Sequence, residues 1–387
     1  MARNDSQDFE TGNINGENST FSWNNQYNTN TLDDFTFSSV NTTSTAVFQD
    51  YPTGLLNFGA TCCIIFAIIG VPGNIISVIA LVRCPRLKNN ATTWFIVNLC
   101  IADALICAFS NPLSVSTLIQ RTWAHGDKLC EVFPIIRFTN VGVSLLSVVA
   151  ITVNRYILMV HPSHYKIIYR KRTIAVMMFL IWIISFLFVL PPLLKVWGKF
   201  GFDPSAGSCT ILKLNNRSPK VFIYVFAFVL PSFAFIICYS RIYWVVRKAH
   251  KNVQEQLKVS SERQYEFNGK EPPKSPRLTT LNNLRGKLHL TSASNNRKRK
   301  QLSRDIKLLR MILVLFCTFI VCYLPMTIVK VSRKESDFPV TNILGYVSFY
   351  FSSCVNPIIY VIMSQEYRKA YKNLFTCSKD ATTSSTS

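Results

Sequence analysis

Charge is scarce in this sequence. Asp, Glu, Lys and Arg make up 16% of its 387 residues, against roughly 25% in an average soluble domain. That is too little to cover the water-facing surface of so long a chain, and the mean hydropathy, +0.22, agrees. A disordered protein, a collagen-like chain and an ordinary cytosolic enzyme are excluded. Histidine is scarce too: His125, His161, His164, His250 and His289 make no metal-spaced cluster. There is no Gly-rich phosphate loop and no Ser/His/Asp set at a workable spacing, so the parts of an enzyme are missing. No internal repeat marks a transporter, and no filter-like re-entrant loop marks a channel. Acidic residues are outnumbered 20 to 42, a net charge of +22. On a soluble fold that excess would suggest nucleic acid. Here the basic residues are sorted along the chain, which argues for a membrane and no nucleic-acid partner.

What is present is apolar. Seven stretches, spans 1 to 7, run Phe58–Val82, Trp94–Leu118, Val132–Val153, Thr173–Leu194, Val221–Val246, Leu308–Val331 and Val340–Met363. Each is about long enough to cross a bilayer as a helix. The expectation is an all-α membrane protein, a seven-transmembrane helix bundle with a short amphipathic cytoplasmic helix after span 7. Seven buried helices of a soluble protein would need polar faces toward water. Asn74, Asp103 and Arg137 sit inside spans, where hydrocarbon penalises them and marks them as functional.

Charge sorting predicts the orientation. Residues 1–57 hold Arg3 and seven acidic residues, with glycosylation sequons at Asn18 and Asn41. The loop after span 1 carries Arg83, Arg86 and Lys88, and the loop after span 3 carries Lys166, Arg170, Lys171 and Arg172. Basic residues beside span ends stay cytoplasmic, which puts the N-terminus outside and the C-terminus inside, in a multi-pass plasma-membrane protein. Met1–Asp50 has no apolar signal-peptide core, so span 1 is expected to serve as the insertion signal. Three regions result: an extracellular tail (1–57), the bundle (58–363) and a cytoplasmic helix with a Ser/Thr-rich tail (364–387). Pro272-Pro273, Ser275-Pro276, Asn282-Asn283 and Asn295-Asn296 predict a flexible cytoplasmic loop over 250–304.

The loop between spans 4 and 5 breaks the charge rule. It should be outside, yet it carries Lys195, Lys199, Lys213, Arg217 and Lys220 against Asp203 alone. Either these residues anchor the span ends, or they form a positive mouth for an anionic ligand. Ten of the twelve cysteines lie in or beside spans or in the tail, where Cys behaves as a small apolar residue. Cys130 and Cys209 instead face an oxidising compartment, so a disulfide between them is expected. Cys377 follows an amphipathic run, as a palmitoylation site or a plain free thiol.

These residues resemble the rhodopsin-like class of G-protein-coupled receptors. The resemblance is carried by Gly73-Asn74, Asn98-Leu99 with Asp103, Trp123 before Cys130, Asn154-Arg155-Tyr156, Trp182, Pro231 with Tyr239, Phe319 with Cys322-Tyr323-Leu324-Pro325, and Asn356-Pro357-Ile358-Ile359-Tyr360. It covers about residues 58–377, and each span contributes. Within the class the chain is most similar to the Moody/Trapped-in-endoderm group near the melatonin-like receptors. That implies a receptor, not an enzyme, which converts extracellular ligand binding into heterotrimeric G-protein activation, in cell guidance or migration. A melatonin-like or peptide ligand is the alternative. The resemblance also implies receptor kinases and arrestin as partners of the tail, Thr382–Ser387.

Roles follow residue by residue. A pair between Arg155 and Asp305, which lies twenty residues before Pro325, would latch spans 3 and 6 at rest. Otherwise Arg155 only reaches to the interface. Asn154 replaces the usual acidic neighbour. Tyr239, Asn356, Pro357 and Tyr360 belong to the coupling machinery, and Phe319, Tyr323 and Pro325 form the switch, with Tyr323 in place of the usual Trp. Asp103 with Ser144 and Asn356, flanked by Asn74 and Ser353, resembles the class's sodium pocket; the alternative is a protonated Asp103 in a metal-free network. No other cofactor is expected.

Counting eighteen residues back from Arg155, five helical turns, reaches Arg137 on the same face near the outer end. Amine receptors have an acid there, so a cationic amine is disfavoured. Arg137 with Lys330, at the outer end of span 6, suggests an anionic ligand such as a lipid phosphate or a carboxylate. The alternative is an internal pair with Glu131. Span 7 has no Lys, hence no Schiff base for retinal.

Overall fold

The computed structural model describes Phe48 and residues 51–204, 206–268, 278–332 and 338–376. All belong to one compact unit, Ser44–Ser387. Asn18, Asn41, Cys377 and the Ser/Thr tail lie outside the described residues.

Seven long helices cross the molecule: α1 (Thr53–Arg83), α2 (Ala91–Gln120), α3 (Gly126–Val160), α4 (Lys171–Leu187), α5 (Lys220–Asn268), α6 (Leu278–Ser332) and α7 (Pro339–Met363). An eighth, α8 (Gln365–Thr376), follows α7 as expected. A hairpin, β1 (Lys199–Asp203) and β2 (Ser208–Leu212), joins α4 to α5. Six of the long helices are long and apolar enough to span a membrane. The end at which α1 begins is called the mouth, and the end at which α8 leaves is the base.

Proline sets most departures from the expected spans. Pro112 has no N–H and its ring clashes with the carbonyl four residues back. The ladder therefore shifts to a π turn over Ile106–Ser110, and the Asn111 N–H bonds the Ile106 carbonyl. Pro191-Pro192 correct span 4 as read from the sequence, Thr173–Leu194. Its helix ends at Leu187, and a single turn, Leu190–Leu193, leads to Lys195 at a left-handed φ of 57°. Seventeen residues rise only about 26 Å.

The loop expected over 250–304 is corrected as well. Helix α5 continues to Asn268, and α6 begins at Leu278, so both Asn pairs lie inside a helix. Asn costs a helix only about 0.7 kcal/mol or less per residue, whereas Pro blocks it. Pro272, Pro273 and Pro276 all fall outside the described residues, between the two helices.

Helices α1, α2, α3, α5, α6 and α7 close a ring, each packed on the next and α7 back on α1. Helix α4 lies outside, against α3 and α2, and barely touches α5. The α3–α4 contact is close: a Cβ at Gly142 would stand 2.9 Å from the Ser185 side chain. Trp182 Nε1 donates to Asn98 Oδ1 at 2.9 Å, and Asn98 Nδ2 donates to Ser147 Oγ at 2.9 Å, pinning α4, α2 and α3 together.

Over the mouth, β1 and β2 pair antiparallel with Phe202 opposite Cys209. The Cys130–Cys209 disulfide ties the hairpin to the first turns of α3. The tail as read, 1–57, is corrected: α1 already begins at Thr53, and Phe48 and Tyr51 are buried in the bundle. The Phe48 ring occupies the place of a side chain at Gly207, whose φ of 61° also favours glycine.

Candidate ligand cage and coupling site

The mouth half of the bundle is organised around Arg137, which is 7% exposed. Its guanidinium carbon lies 4.8 Å from the ring centre of Phe349, 5.4 Å from Tyr346, 5.8 Å from Phe133 and 5.9 Å from Tyr350. Among the described residues no carboxylate lies within ion-pair distance of it. The ion pair that forms is Lys220–Asp203, at 3.4 Å. Glu131 is exposed and makes no pair, so the internal Arg137–Glu131 reading does not hold. The faces of aromatic rings attract a desolvated cation by about 2 kcal/mol each. They hold the charge without neutralising it.

Lys330 stands 5.5 Å from the centre of Tyr346, so two cations flank one ring. Although it stands at the outer end of its span, Lys330 is 3% exposed, less than Arg137. The Tyr346 hydroxyl donates to the Ala206 carbonyl at 3.0 Å and shares a hydrogen bond with Ser208 at 2.9 Å, strapping the hairpin to α7. Tyr350 shares a 2.6 Å bond with Ser114 and donates to the Ser110 carbonyl. Lys195, Lys199, Lys213 and Arg217 are exposed, and none lines the cavity that contains Arg137.

That cavity is bounded by Arg137, Phe138, Tyr224, Phe319, Tyr323 and Phe349, among others. Its walls carry a relay of rings. Phe349 meets Tyr323 at 5.5 Å, and Tyr323 meets Phe319 at 4.4 Å. Below them Phe316 stacks on Phe235 at 3.6 Å, and Phe235 on Tyr239 at 4.0 Å. A change at Arg137 thus has a packed route to Tyr323 and Phe319, the two aromatic residues of the switch, within two turns of Pro325.

At mid-depth Asp103 is 2% exposed. Ser144 Oγ donates to one of its oxygens at 3.1 Å, and Asn356 Nδ2 donates to the other at 2.7 Å. The three residues read as one pocket come together. Asn74 does not join them: its amide donates to the carbonyls of Gly70 and Ser353, both at 2.9 Å. Ser352 turns its hydroxyl back to the Phe349 carbonyl. Ser353 Oγ is buried with no hydrogen-bond partner.

At the base the resting latch is corrected. Arg155 is 3% exposed, its Nε has no partner, and no ion pair to Asp305 forms. Asn154, in the usual acid's place, turns elsewhere. Its Oδ1 accepts from Thr92 Oγ1 at 2.6 Å, and its Nδ2 reaches the Tyr165 hydroxyl at 3.4 Å. Helix α6 is held instead by Tyr239, whose hydroxyl donates to the Leu309 carbonyl at 2.8 Å. The Tyr360 hydroxyl is buried without a partner, and Tyr156 contacts His161 at 3.4 Å. Helix α8 docks through Tyr367 and through Tyr371, which shares a 2.5 Å bond with Ser77. Burial pushes both phenols up to about 12, so they stay neutral.

Residues 73–360 match the family model described as 7 transmembrane receptor (rhodopsin family). The chain belongs to that family. It is therefore a multi-pass membrane protein of a receptor family, not an enzyme. The receptor is 36% identical over 359 residues to the G-protein coupled receptor moody of Drosophila melanogaster, a match covering 84% of this chain and 52% of that protein. It thus spans about half the length of the moody receptor. Protein trapped in endoderm-1 of the same species is 35% identical over 84% of this chain and 79% of its own. The melatonin receptor type 1C of Xenopus laevis is 24% identical over 83% of this chain and 68% of its own. Squid rhodopsin shares the fold, with a TM-score of 0.66 at 17% identity over 85% of this chain and 89% of its own.

Sequence reasoning missed the cage itself. Tyr346, Phe349 and Tyr350 stand at helical i, i+3 and i+4 spacing, which places three rings on one face. That signal was present beside Arg137. Phe48 and Tyr51 left no periodic signal.

Proposed function

We propose that this receptor binds an anionic ligand at Arg137 and converts that binding into heterotrimeric G-protein activation across the plasma membrane, with its N-terminus outside and C-terminus inside. One observation carries the ligand class: a buried guanidinium held by four rings and no carboxylate. A charge that is desolvated but not neutralised favours a carboxylate or phosphate over a neutral or cationic ligand. The exposed lysines of the hairpin add a field that draws anions to the mouth. Similarity to a G-protein coupled receptor and to a melatonin receptor supports the coupling. The free Nε of Arg155 supplies a donor at the base for a G-protein acceptor. A role in cell guidance or migration rests on similarity to moody and trapped in endoderm-1 alone, and kinase and arrestin binding on the Ser/Thr content of the tail.

A sodium ion fits between α2, α3 and α7. Asp103, the Ser144 hydroxyl and the unpartnered Ser353 Oγ form an all-oxygen donor set for a hard cation. Bound there, it would offset the buried Asp103 charge. Replacing sodium by choline should change agonist affinity in wild type and not in Asp103→Asn.

Guanine-nucleotide exchange in membranes tests the main reading. Anionic lipids and carboxylates should stimulate it, with Arg137→Ala as the control. A transporter or a channel would give no exchange at all.

A further inference from the structure

On the mouth side, the described residues pack closely over the Arg137 cage. Phe48 is seated on Gly207 and packed with Tyr51, and Asn342 Nδ2 donates to the Tyr51 hydroxyl at 3.0 Å. Tyr346 straps the hairpin down beside them. Among the described residues, none of the hairpin or of the chain before α1 lines the Arg137 cavity; its walls come from α3, α5, α6 and α7.

The side wall is different. A second cavity lies between α3, α4 and α5, bounded by residues that include Gly142, Leu146, Phe188, Phe226 and Leu230. Five residues line both cavities: Phe138, Val141, Leu145, Ile223 and Ala227. The two spaces are neighbours across a wall, and Ala227 is its smallest side chain. The outer side of the second cavity is open to lipid because α4 and α5 barely touch. Helix α4 stops at Leu187 where Pro191-Pro192 follow, and the gap is bridged by one ring pair, Phe188 and Phe226, at 5.3 Å. Leu230, on the rim, is 40% exposed.

We infer that the ligand is a single-chain anionic amphiphile that enters from the bilayer between α4 and α5, sets its headgroup on Arg137 and lays its chain in the α3–α4–α5 groove. The inference rests on the anionic reading of Arg137 and adds the chain, the groove and the route. Each part has its own chemistry. The groove offers only apolar side chains and the hydroxyl of Ser185, which suits methylene groups and no second charge. The cage offers the buried Arg137 guanidinium, with Lys330 beside Tyr346. A small soluble anion would match the cage and leave the groove unused. A neutral lipid would match the groove and leave the cation unpaired.

The test uses the full-length receptor in nanodiscs with two probes carrying a diazirine near the chain end, palmitate and lysophosphatidate. Labelling should fall on 226–231 and 185–189. Unlabelled anion of the same chain length should compete, and hexadecanol, butyrate and glycerol phosphate should compete at least tenfold less well. Whichever probe is competed at lower concentration identifies the headgroup. Arg137→Gln should cut this labelling at least tenfold. Ala227→Trp should do the same, and Leu230→Trp, on the lipid-facing rim where folding is not at stake, should cut it severalfold. Equal labelling in wild type, Ala227→Trp and Leu230→Trp, with loss in Arg137→Gln, would overturn the groove and leave the anionic reading standing. Groove labelling that ignores Arg137→Gln and is competed by hexadecanol would mark a plain lipid site and overturn both. Competition by butyrate as strong as by the long chain would overturn the amphiphile.

Discussion

Two arginines on α3, five helical turns apart and both buried, are treated in opposite ways. Arg137 at the mouth is surrounded by four rings contributed by α3 and α7. Arg155 at the base has none, and its Nε meets no acceptor. An aromatic cage replaces part of the lost hydration of a cation. An unmade bond from a charged donor forfeits roughly 1–3 kcal/mol or more. The mouth therefore holds its charge ready in a built site. The base holds an unmet demand that a partner's acceptor can satisfy. One end offers a preorganised charge and the other an unmet donor.

The largest test of that contrast is at the base. Arg155→Ala should abolish nucleotide exchange while surface expression, read by flow cytometry, stays near wild type. A variant that still couples would show that Arg155 is only an interfacial charge. At the mouth, Arg137→Ala should weaken an anionic agonist about tenfold to a hundredfold, the equivalent of losing one charge-assisted bond of roughly 1.5–3 kcal/mol. Arg137→Lys should recover part, because a point charge cannot replace the planar fork. Equal potency of a neutral agonist on wild type and Arg137→Ala would make the cage purely structural. Next come Cys130→Ser and Cys209→Ser. Each should lower surface expression severalfold, and the double variant should be no worse than either; additive losses would show that they do not act as one bond. Smaller again is Tyr239→Phe, which removes one bond to the Leu309 carbonyl, worth about 1 kcal/mol. Basal exchange should rise a few-fold as α6 loosens. Asp305→Ala should do least. With no ion pair to Arg155 in place, basal exchange should change by less than about twofold. A large rise would restore the latch expected from sequence.

The helices were legible because apolar length alone specifies them. Their ends were less legible where proline intervenes, as at Pro191, where the apolar run outlasts the helix by seven residues, whereas Pro112 lies inside α2 and ends nothing. Asparagine misled in the reading of 250–304, because two adjacent turn-formers weaken a helix without stopping it. The residues of the Asp103 pocket could be chosen from the resemblance to the receptor class. That Asn74 turns away to Gly70 and Ser353 could not, because the choice between two acceptors is made by packing. The same holds for Arg155 and Asp305: opposite charges in the right register still need side chains that reach. The hairpin was hidden because five-residue strands are too short to show a period, and its disulfide was visible only through position.

The π turn at Ile106–Ser110 fits one more residue into that stretch of α2 than an α-helical ladder would hold. In an α-helix each residue turns the chain by about 100°, so the insertion fixes the azimuth of everything from Ser110 to the mouth. Asn111, which donates to the Cys63 carbonyl, and Ser110 and Ser114, which hold the Tyr350 hydroxyl, all lie beyond or at the end of that turn. Deleting a single residue there would spare every transmembrane segment in length and hydropathy. It would nevertheless rotate all three anchors away from their partners and release a ring from beneath Arg137. Relatives that differ from this chain by one residue between Asp103 and Pro112 should therefore recognise different ligands, however alike the rest of their sequence.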